Sequence, residues 1–193
     1  ITITFFLMRL APGSPFASEK SFPPEIEAQL NAEYGLDNPW YIQYKDYLVS
    51  TAQLDFGESM KYKGRSTNDM IAESFPISLT LGIEAMILAV GLGVLFGSVA
   101  ALYHNRGVDY VVTTIAVLGI SVPSFILAGL LQYFLGLKLQ LFPISGWNGF
   151  IYSILPATAI AVTHMGFIAK LVRSSMLEQN NSEYVKMARS KGL

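Results

Sequence analysis

Three long apolar stretches limit what this chain can fold into. Each is long enough to cross a hydrocarbon core of about 30 Å as a helix, which takes about 20 residues. The first contains a single charge, Glu84, and the third contains only Lys170, near its end. A soluble protein can bury one such helix, but three in succession predict a membrane protein. The predicted spans are residues 76–103, 108–137 and 151–172.

The composition agrees with a lipid environment. Of the 193 residues, 52% are hydrophobic and 14% are charged, and the mean hydropathy is +0.42. A soluble domain has roughly a quarter of its residues charged. The net charge of −1 gives no reason to expect a nucleic acid partner. The absence of cysteine excludes disulfides, thiolate metal sites and cysteine nucleophiles.

Eight mostly apolar residues precede Arg9, and they are too few to span a bilayer. We therefore expect residues 1–10 to be the end of a first transmembrane helix, and the sequence to be a fragment. The expected fold class is all-α. It is a polytopic transmembrane helical bundle, a single transmembrane domain with the end of one span and three full spans.

Residues 11–75 form a polar segment with its own helix signals. Proline at the start of a helix, glycine after its end and Ser, Thr, Asn or Asp at the cap mark helix boundaries. The segment also has enough aromatic surface to fold, so we expect a helical loop rather than a disordered linker. The predicted helices run from Pro24 to near Gly35, from Pro39 to about Ala52, and from a cap at Ser66–Asp69 to Pro76.

The distribution of Lys and Arg predicts the orientation. The link before the second span carries Arg106, and the link before the third span carries only Lys138. Four cations lie in residues 173–193, so we expect this segment in the cytoplasm and residues 11–75 outside. Long loops follow the rule weakly, so three cations of the outer loop do not reverse the prediction: Lys61, Lys63 and Arg65.

Four small residues of the first full span share one helix face. Ala89, Gly93, Gly97 and Ala101 are spaced four apart. Small residues let another helix approach closely in lipid, where packing replaces the hydrophobic driving force. The pattern predicts close helix packing and does not identify a partner.

Two features mark a candidate substrate pathway. Glu84 is a carboxylate within an apolar span, so it should face protein or water, although a hydrogen-bonded structural role is the alternative. Pro123 lacks an N–H and predicts a kink in the second span, and Ser121 can satisfy a freed carbonyl. A kink beside a pathway would serve gating, and a static bend is the alternative.

No catalytic constellation is present in the sequence. A phosphate-binding Gly-x-x-x-x-Gly-Lys-Ser/Thr loop, His-Glu-x-x-His and Gly-x-Ser-x-Gly are all absent. We expect no metal and no cofactor, and if the chain takes part in driven transport, the energy source lies in another subunit. An intramembrane enzyme using Glu84 and His164 and a passive channel are the alternatives from other classes.

The closing segment, Glu183–Leu193, is basic and rich in helix formers. Tyr184, Val185 and Ala188 offer an apolar stripe, and Gly192 fits a helix end. Lys186, Arg189 and Lys191 can meet anionic headgroups or a protein groove. From the residues alone, lipid binding and protein docking are equally supported.

The sequence resembles the membrane-spanning subunit of bacterial ABC importers of the oligopeptide and dipeptide branch. The branch pattern Tyr-Val-x-x-Ala-Arg-x-Lys-Gly-Leu is matched by Tyr184–Leu193. The wider family pattern is Glu-Ala-Ala-x-x-x-Gly, in which Lys186 and Met187 replace Glu and Ala. Further matching segments are Arg9–Pro15, Tyr34–Pro39, Asp55–Ser59, Phe75–Thr80, Ser121–Phe125 and Leu141–Trp147.

The resemblance implies a transport subunit rather than an enzyme, in the inner membrane of a bacterial cell. It belongs to an ATP-driven importer with a type I permease fold, in which ATP hydrolysis lies in a separate subunit. Its expected partners are a second homologous permease subunit, two ATP-binding subunits, an extracytoplasmic substrate-binding protein, membrane lipid and a peptide substrate. A permease of the same family for a metal chelate, a metallophore or glutathione is the alternative. The resemblance also implies the residues that couple to the ATPase: Tyr184, Lys186, Ala188, Arg189, Lys191 and Gly192.

Overall fold

The computed structural model describes residues 2–10, 23–62 and 64–192. Within these ranges the regular structure is helical and no strand is present, although one isolated bridge pairs Glu58 with Ser66. The all-α prediction is confirmed. The predictions made for Pro12–Pro15, Lys63 and Leu193 lie outside the described residues.

The chain divides into two compact units, residues 1–76 and residues 77–193. The first unit contains α1 (Thr2–Leu10), α2 (Pro24–Glu33), α3 (Trp40–Ala52) and the start of α4 (Thr67–Leu102). The second unit contains the rest of α4, α5 (Gly107–Ser121), α6 (Ser124–Leu131), a π-helical continuation (Gln132–Lys138), a 3-10 turn (Phe150–Tyr152), α7 (Ile154–Asn180) and α8 (Glu183–Ser190).

In the first unit, aromatic and polar side chains join α1 to α3. The ring centroids of Phe5 and Tyr44 lie 5.2 Å apart. Gln43 Oε1 accepts a hydrogen bond from Arg9 Nη1 at 2.8 Å, and Gln43 Nε2 donates to two backbone carbonyls of the turn between α2 and α3. Part of the aromatic surface of this segment is thus packed, while Trp40 and Tyr41 stay exposed. Helices α2 and α3 end and begin within two residues of the predicted bounds.

The prediction of a separate short helix ending at Pro76 is wrong. The cap is present, because Ser66 Oγ accepts a hydrogen bond from the Asn68 N–H at 3.1 Å, but α4 then continues through Pro76 to Leu102. Proline removes one backbone hydrogen bond from a helix. The apolar residues that follow favour a continuous helix strongly enough to absorb that loss.

The second predicted span is broken at Pro123. Helix α5 ends at Ser121, and α6 begins at Ser124. The segments Gly107–Ser121 and Ser124–Lys138 form an angle of 104°. Ser121 Oγ donates to the Val117 carbonyl at 2.8 Å, and the Pro123 carbonyl accepts the first amides of α6. The bend is sharper than a proline kink in one continuous helix. Among the described residues, α4 and α7 can each cross a membrane by length and composition, and the bent pair is the third candidate.

Helix α7 lies at the centre of the second unit. It packs against α5, α6 and the 3-10 turn, and it also contacts α8. Its side toward α4 carries Ala161, Met165 and Ile168, which meet the buried Ala85 and Ala89. The side toward α5 carries Val162 and Thr163, whose hydroxyl donates to the Gly119 carbonyl at 3.3 Å. The buried α4 residues that line this region are Ala85, Ala89, Gly93, Gly97, Ala100 and Ala101.

Glycine lets the backbones approach on both sides of α7. A Cβ added at Gly97 would lie 2.6 Å from the Ala169 carbonyl oxygen, and one added at Gly93 would lie 2.8 Å from the Ile168 Cβ. On the other side, a Cβ at Gly166 would lie 2.6 Å from the Ala116 carbonyl oxygen. Backbone atoms cannot move aside as a flexible side chain can, so these positions accept only glycine without a shift of the helices.

We predict that Gly97→Ala destabilises the protein by about 1–3 kcal/mol, the usual cost of overpacking a tight contact. The matched control is Gly91→Ala in the same helix, where an added Cβ meets nothing within 4 Å. The measurement is the temperature at which half of the full-length protein loses its monodisperse state in detergent. Gly97→Ala should lower it by several degrees and Gly91→Ala should not. Equal midpoints for the two variants would contradict the packing described here.

Candidate functional site

Helix α8 is short, capped and set apart from α7 by a turn. Ser182 Oγ accepts a hydrogen bond from the Val185 N–H, and Glu183 lies in the first turn, where a negative charge favours the helix. At the other end, the Gly192 N–H donates to the Arg189 carbonyl at 3.1 Å, and Gly192 has a φ of +83°. That conformation suits glycine, which commonly ends a helix.

The side chains predicted for coupling lie on an open surface at α8, with the exception of Ala188. Tyr184 is 81% exposed and Met187 is 58% exposed. Val185 and Ala188 are half-buried, on the side of the helix that turns away from solvent. Lys186, Arg189, Lys191 and Gly192 are also exposed. The helix therefore presents an aromatic ring and three cations together, a combination that suits both a protein groove and an anionic surface.

A buried ion pair lies where the link between α4 and α5 meets α7. Asp109, in the first turn of α5, is 2% exposed. Arg173 binds it with two parallel hydrogen bonds, Nε to Oδ1 at 2.6 Å and Nη2 to Oδ2 at 2.7 Å. Such a two-point contact fixes both distance and orientation. The pair ties α5 to α7 across 64 positions of sequence.

Three further groups complete the shell around the Asp109 carboxylate. The Asn105 backbone N–H donates to Oδ2 at 3.0 Å, and the Thr113 hydroxyl donates to Oδ1 at 3.3 Å. His104 Nδ1 lies 3.2 Å from Oδ2 and also 3.2 Å from Arg173 Nη2. We refer to His104, Asn105, Asp109, Thr113 and Arg173 as the Asp109 cluster.

The sequence pattern did not reveal the Asp109 cluster. Arg173 counts in the sequence only as one of the four cations that predict orientation. One available signal was Asp109 itself, an acid at the start of an apolar helix that needs a countercharge if it is buried. The identity of that countercharge depends on how distant helices pack, which a single sequence does not show.

Among the described residues, no hydrogen bond joins the residues proposed for a substrate pathway to one another. Glu84 is half-buried, and its Oε2 is inaccessible to solvent and has no hydrogen-bond partner among the described residues. Ser121 and Pro123 are exposed at the break between α5 and α6. His164 is exposed, and its Nδ1–H donates to the Ile160 carbonyl at 2.9 Å within its own helix. Among the described residues, no hydrogen bond joins Glu84 Oε2 to His164.

A cavity of about 210 Å³ lies by the first turns of α7, the end opposite Arg173. Gln132 lies on its wall and donates from Nε2 to the Ile144 carbonyl at 3.2 Å. The cavity residues are Ile77, Leu81, Gln132, Pro143, Ile144, Ser145, Gly146, Trp147, Tyr152, Leu155 and Pro156.

Within residues 2–10, 23–62 and 64–192, no cluster of three or more His, Asp or Glu side chains is suited to a metal ion.

Most of the second unit is similar in sequence to a known protein family. Residues 93–193 match the family described as the binding-protein-dependent transport system inner membrane component, and the match covers more than half of the chain. The chain belongs to this family. The matched region includes every residue of the Asp109 cluster and the whole of α8.

Individual relatives extend the similarity over the whole chain. The oligopeptide transport system permease proteins OppB of Haemophilus influenzae and Escherichia coli K12 are 45% and 46% identical to it. The dipeptide transport system permease protein DppB of Bacillus subtilis is 44% identical. Each alignment covers 100% of this chain, which spans 64% of the two OppB proteins and 62% of DppB, less than two thirds of each. The resemblance to peptide permeases read from the sequence is confirmed.

Proposed function

We propose that this chain is part of the membrane permease subunit of an ATP-driven peptide importer. The observation that carries the proposal is the identity of 44% to 46% with oligopeptide and dipeptide permeases over the whole chain. The apolar helices α4 and α7 and the bent pair support a multi-pass protein of the inner membrane. The chain itself transports and does not hydrolyse ATP.

In this proposal the Asp109 cluster and α8 face the cytoplasm. The cluster brings the link that carries Arg106 to the same end of the unit as Arg173, so the basic residues of two separate segments share one side. The positive-inside rule then favours the cytoplasm for both. Residues 11–75 lie on the outer side, where they help to receive a binding protein that delivers the substrate.

Helix α8 docks on a soluble ATP-binding subunit. Its exposed Tyr184 supplies an apolar anchor, and Lys186, Arg189 and Lys191 supply polar contacts around it. Ala188 has a small side chain, so a partner can pack closely against the helix. Gly192 ends the helix, so that α8 fits as a compact unit. An eight-residue helix is marginal alone in water, so the docked partner also stabilises it.

The pathway forms between this subunit and a second, homologous one. Glu84 borders the pathway in this proposal, because a carboxylate within an apolar span is best placed near a polar substrate or water, although its Oε2 is enclosed within this unit. The break at Ser121–Pro123 gives the helices a point at which they can change angle. Closure of the ATP-binding subunits moves α8, and α7 passes the movement to the helices packed around it.

We predict that reversing the charges of α8 releases the ATP-binding subunits. The variant combines Lys186→Glu, Arg189→Glu and Lys191→Glu, and its control is Lys138→Glu, an exposed cation outside α8. The measurement is the molar ratio of ATP-binding subunits to the full-length permease after purification in mild detergent. We expect at least a tenfold loss for the triple variant and no loss for the control.

Binding to lipid predicts a different result for the same variants. If α8 binds only anionic headgroups, the triple variant keeps its ATP-binding subunits and loses affinity for vesicles that contain anionic lipid. That result would contradict docking on a protein and support an interfacial helix.

The substrate class is tested by transport into proteoliposomes that contain the full-length permease with its partner subunits and binding protein. We expect ATP-dependent uptake of labelled di- and oligopeptides, and a severalfold slower uptake with Glu84→Gln at an unchanged ratio of subunits. Uptake of glutathione or a metal chelate without peptide uptake would favour the alternative substrate. Flux without ATP would indicate a passive channel.

A further inference from the structure

We propose that Asp109 and Arg173 are positioning residues that make the link between α4 and α5 move together with the base of α7, which is its C-terminal part from Arg173 to Asn180. This inference rests on the proposed docking of α8, because α8 follows α7 directly and contacts it. Neither residue touches substrate or nucleotide in this role. They transmit a movement of α8 and α7 to the link between α4 and α5.

The geometry favours a rigid connection. The Arg173 guanidinium meets both carboxylate oxygens of Asp109 at 2.6 and 2.7 Å, which fixes the relative rotation as well as the distance of the two groups. The carboxylate also accepts hydrogen bonds from Asn105 and Thr113, so the same anion holds the end of the link and the first turn of α5. One side chain of α7 therefore holds both parts.

Burial makes the connection hard to break during a movement. Asp109 is 2% exposed, and separation from Arg173 would leave its charge without a countercharge away from water. Breaking such a pair by loss of one partner is strongly unfavourable. When α7 moves, Asp109 thus follows Arg173 and does not slide past it.

The contacts elsewhere on α7 are of a different kind. Toward α4 they involve glycine, alanine and aliphatic side chains, and toward the middle of α5 they involve Gly166, Gly119 and one hydroxyl at 3.3 Å from a carbonyl. Small apolar surfaces allow adjustments of helix position at little electrostatic cost. Among the described residues of α5 and α7, the pair Asp109–Arg173 is the ionic contact that joins them.

The test uses the full-length permease assembled with its ATP-binding subunits and binding protein in proteoliposomes. The readout is the amount of peptide moved per ATP hydrolysed, which separates coupling from the amount of active complex. The variants are Asp109→Asn, Arg173→Lys, and the double variant Asp109→Asn with Arg173→Gln. The control is Arg106→Gln, which removes an exposed cation from the same link.

We expect Asp109→Asn to lower the peptide moved per ATP about tenfold while the ATP-binding subunits stay bound. Arg173→Lys keeps the charge but loses the two-point contact, so its value should be intermediate. The double variant should be no worse than Asp109→Asn, because both changes remove one interaction. Normal coupling in Asp109→Asn, or a loss that only follows loss of bound subunits, overturns the proposal. If the wild-type permease itself binds no ATP-binding subunits, the proposed function fails instead.

A second measurement works if Asp109→Asn does not fold. Spin labels at Arg106→Cys and Ser175→Cys, both exposed positions, report the distance from the link to the base of α7 in a full-length protein with its other cysteines replaced. This chain contributes no other cysteine. We expect the same narrow distance distribution with and without ATP. A shift of several ångströms on ATP binding would show that the two parts move separately and would overturn the proposal.

Discussion

The close approach of backbones around α7 is the constraint on which the second unit depends. A helix bundle in lipid gains little from burying apolar surface, so its helices must pack by van der Waals contact, and small residues allow that contact. Gly97 rests against the Ala169 carbonyl on one side of α7, and Gly166 rests against the Ala116 carbonyl on the other. Because α7 fits closely between two neighbours, a movement of α7 toward either neighbour displaces that neighbour. The same fit that stabilises the bundle therefore makes α7 suitable for transmitting movement.

The Asp109 cluster adds a fixed point to the packing of α7. Apolar contacts along α4 and α5 hold α7 in place without specifying how far it rotates, whereas the ion pair fixes one point of α7 to one point of the link. That point lies seven residues before α7 ends at Asn180, and α8 begins three residues later at Glu183. A short, exposed helix with a rigid base is well suited to receive force from a soluble partner. In the proposed function, the fold joins the docking surface of α8 to a bundle that responds to it.

Local patterns in the sequence were sufficient for much of the fold. Proline and glycine placed α2 and α3, and the spacing of Gly93 and Gly97 marked a face that the structure buries against α7. The continuation of α4 through Pro76 was not predictable from local rules, because one lost hydrogen bond competes with a long apolar helix. The bend of 104° and the Asp109 cluster depend on contacts between distant helices. The motif at the end of the chain indicated a docking helix, but its exposed face could be described only from the structure.

The most direct test of the docking claim replaces Tyr184 with a photoreactive phenylalanine analogue in the full-length protein. Tyr184 is 81% exposed, so the probe points outward without disturbing the packing of α7. Irradiation of native membranes in which the permease is expressed with its partner subunits should give a crosslink to the ATP-binding subunit, identified by mass spectrometry. A probe at Tyr41, an exposed tyrosine of the first unit, should not give that crosslink. Crosslinks from position 184 to lipid alone would contradict the account.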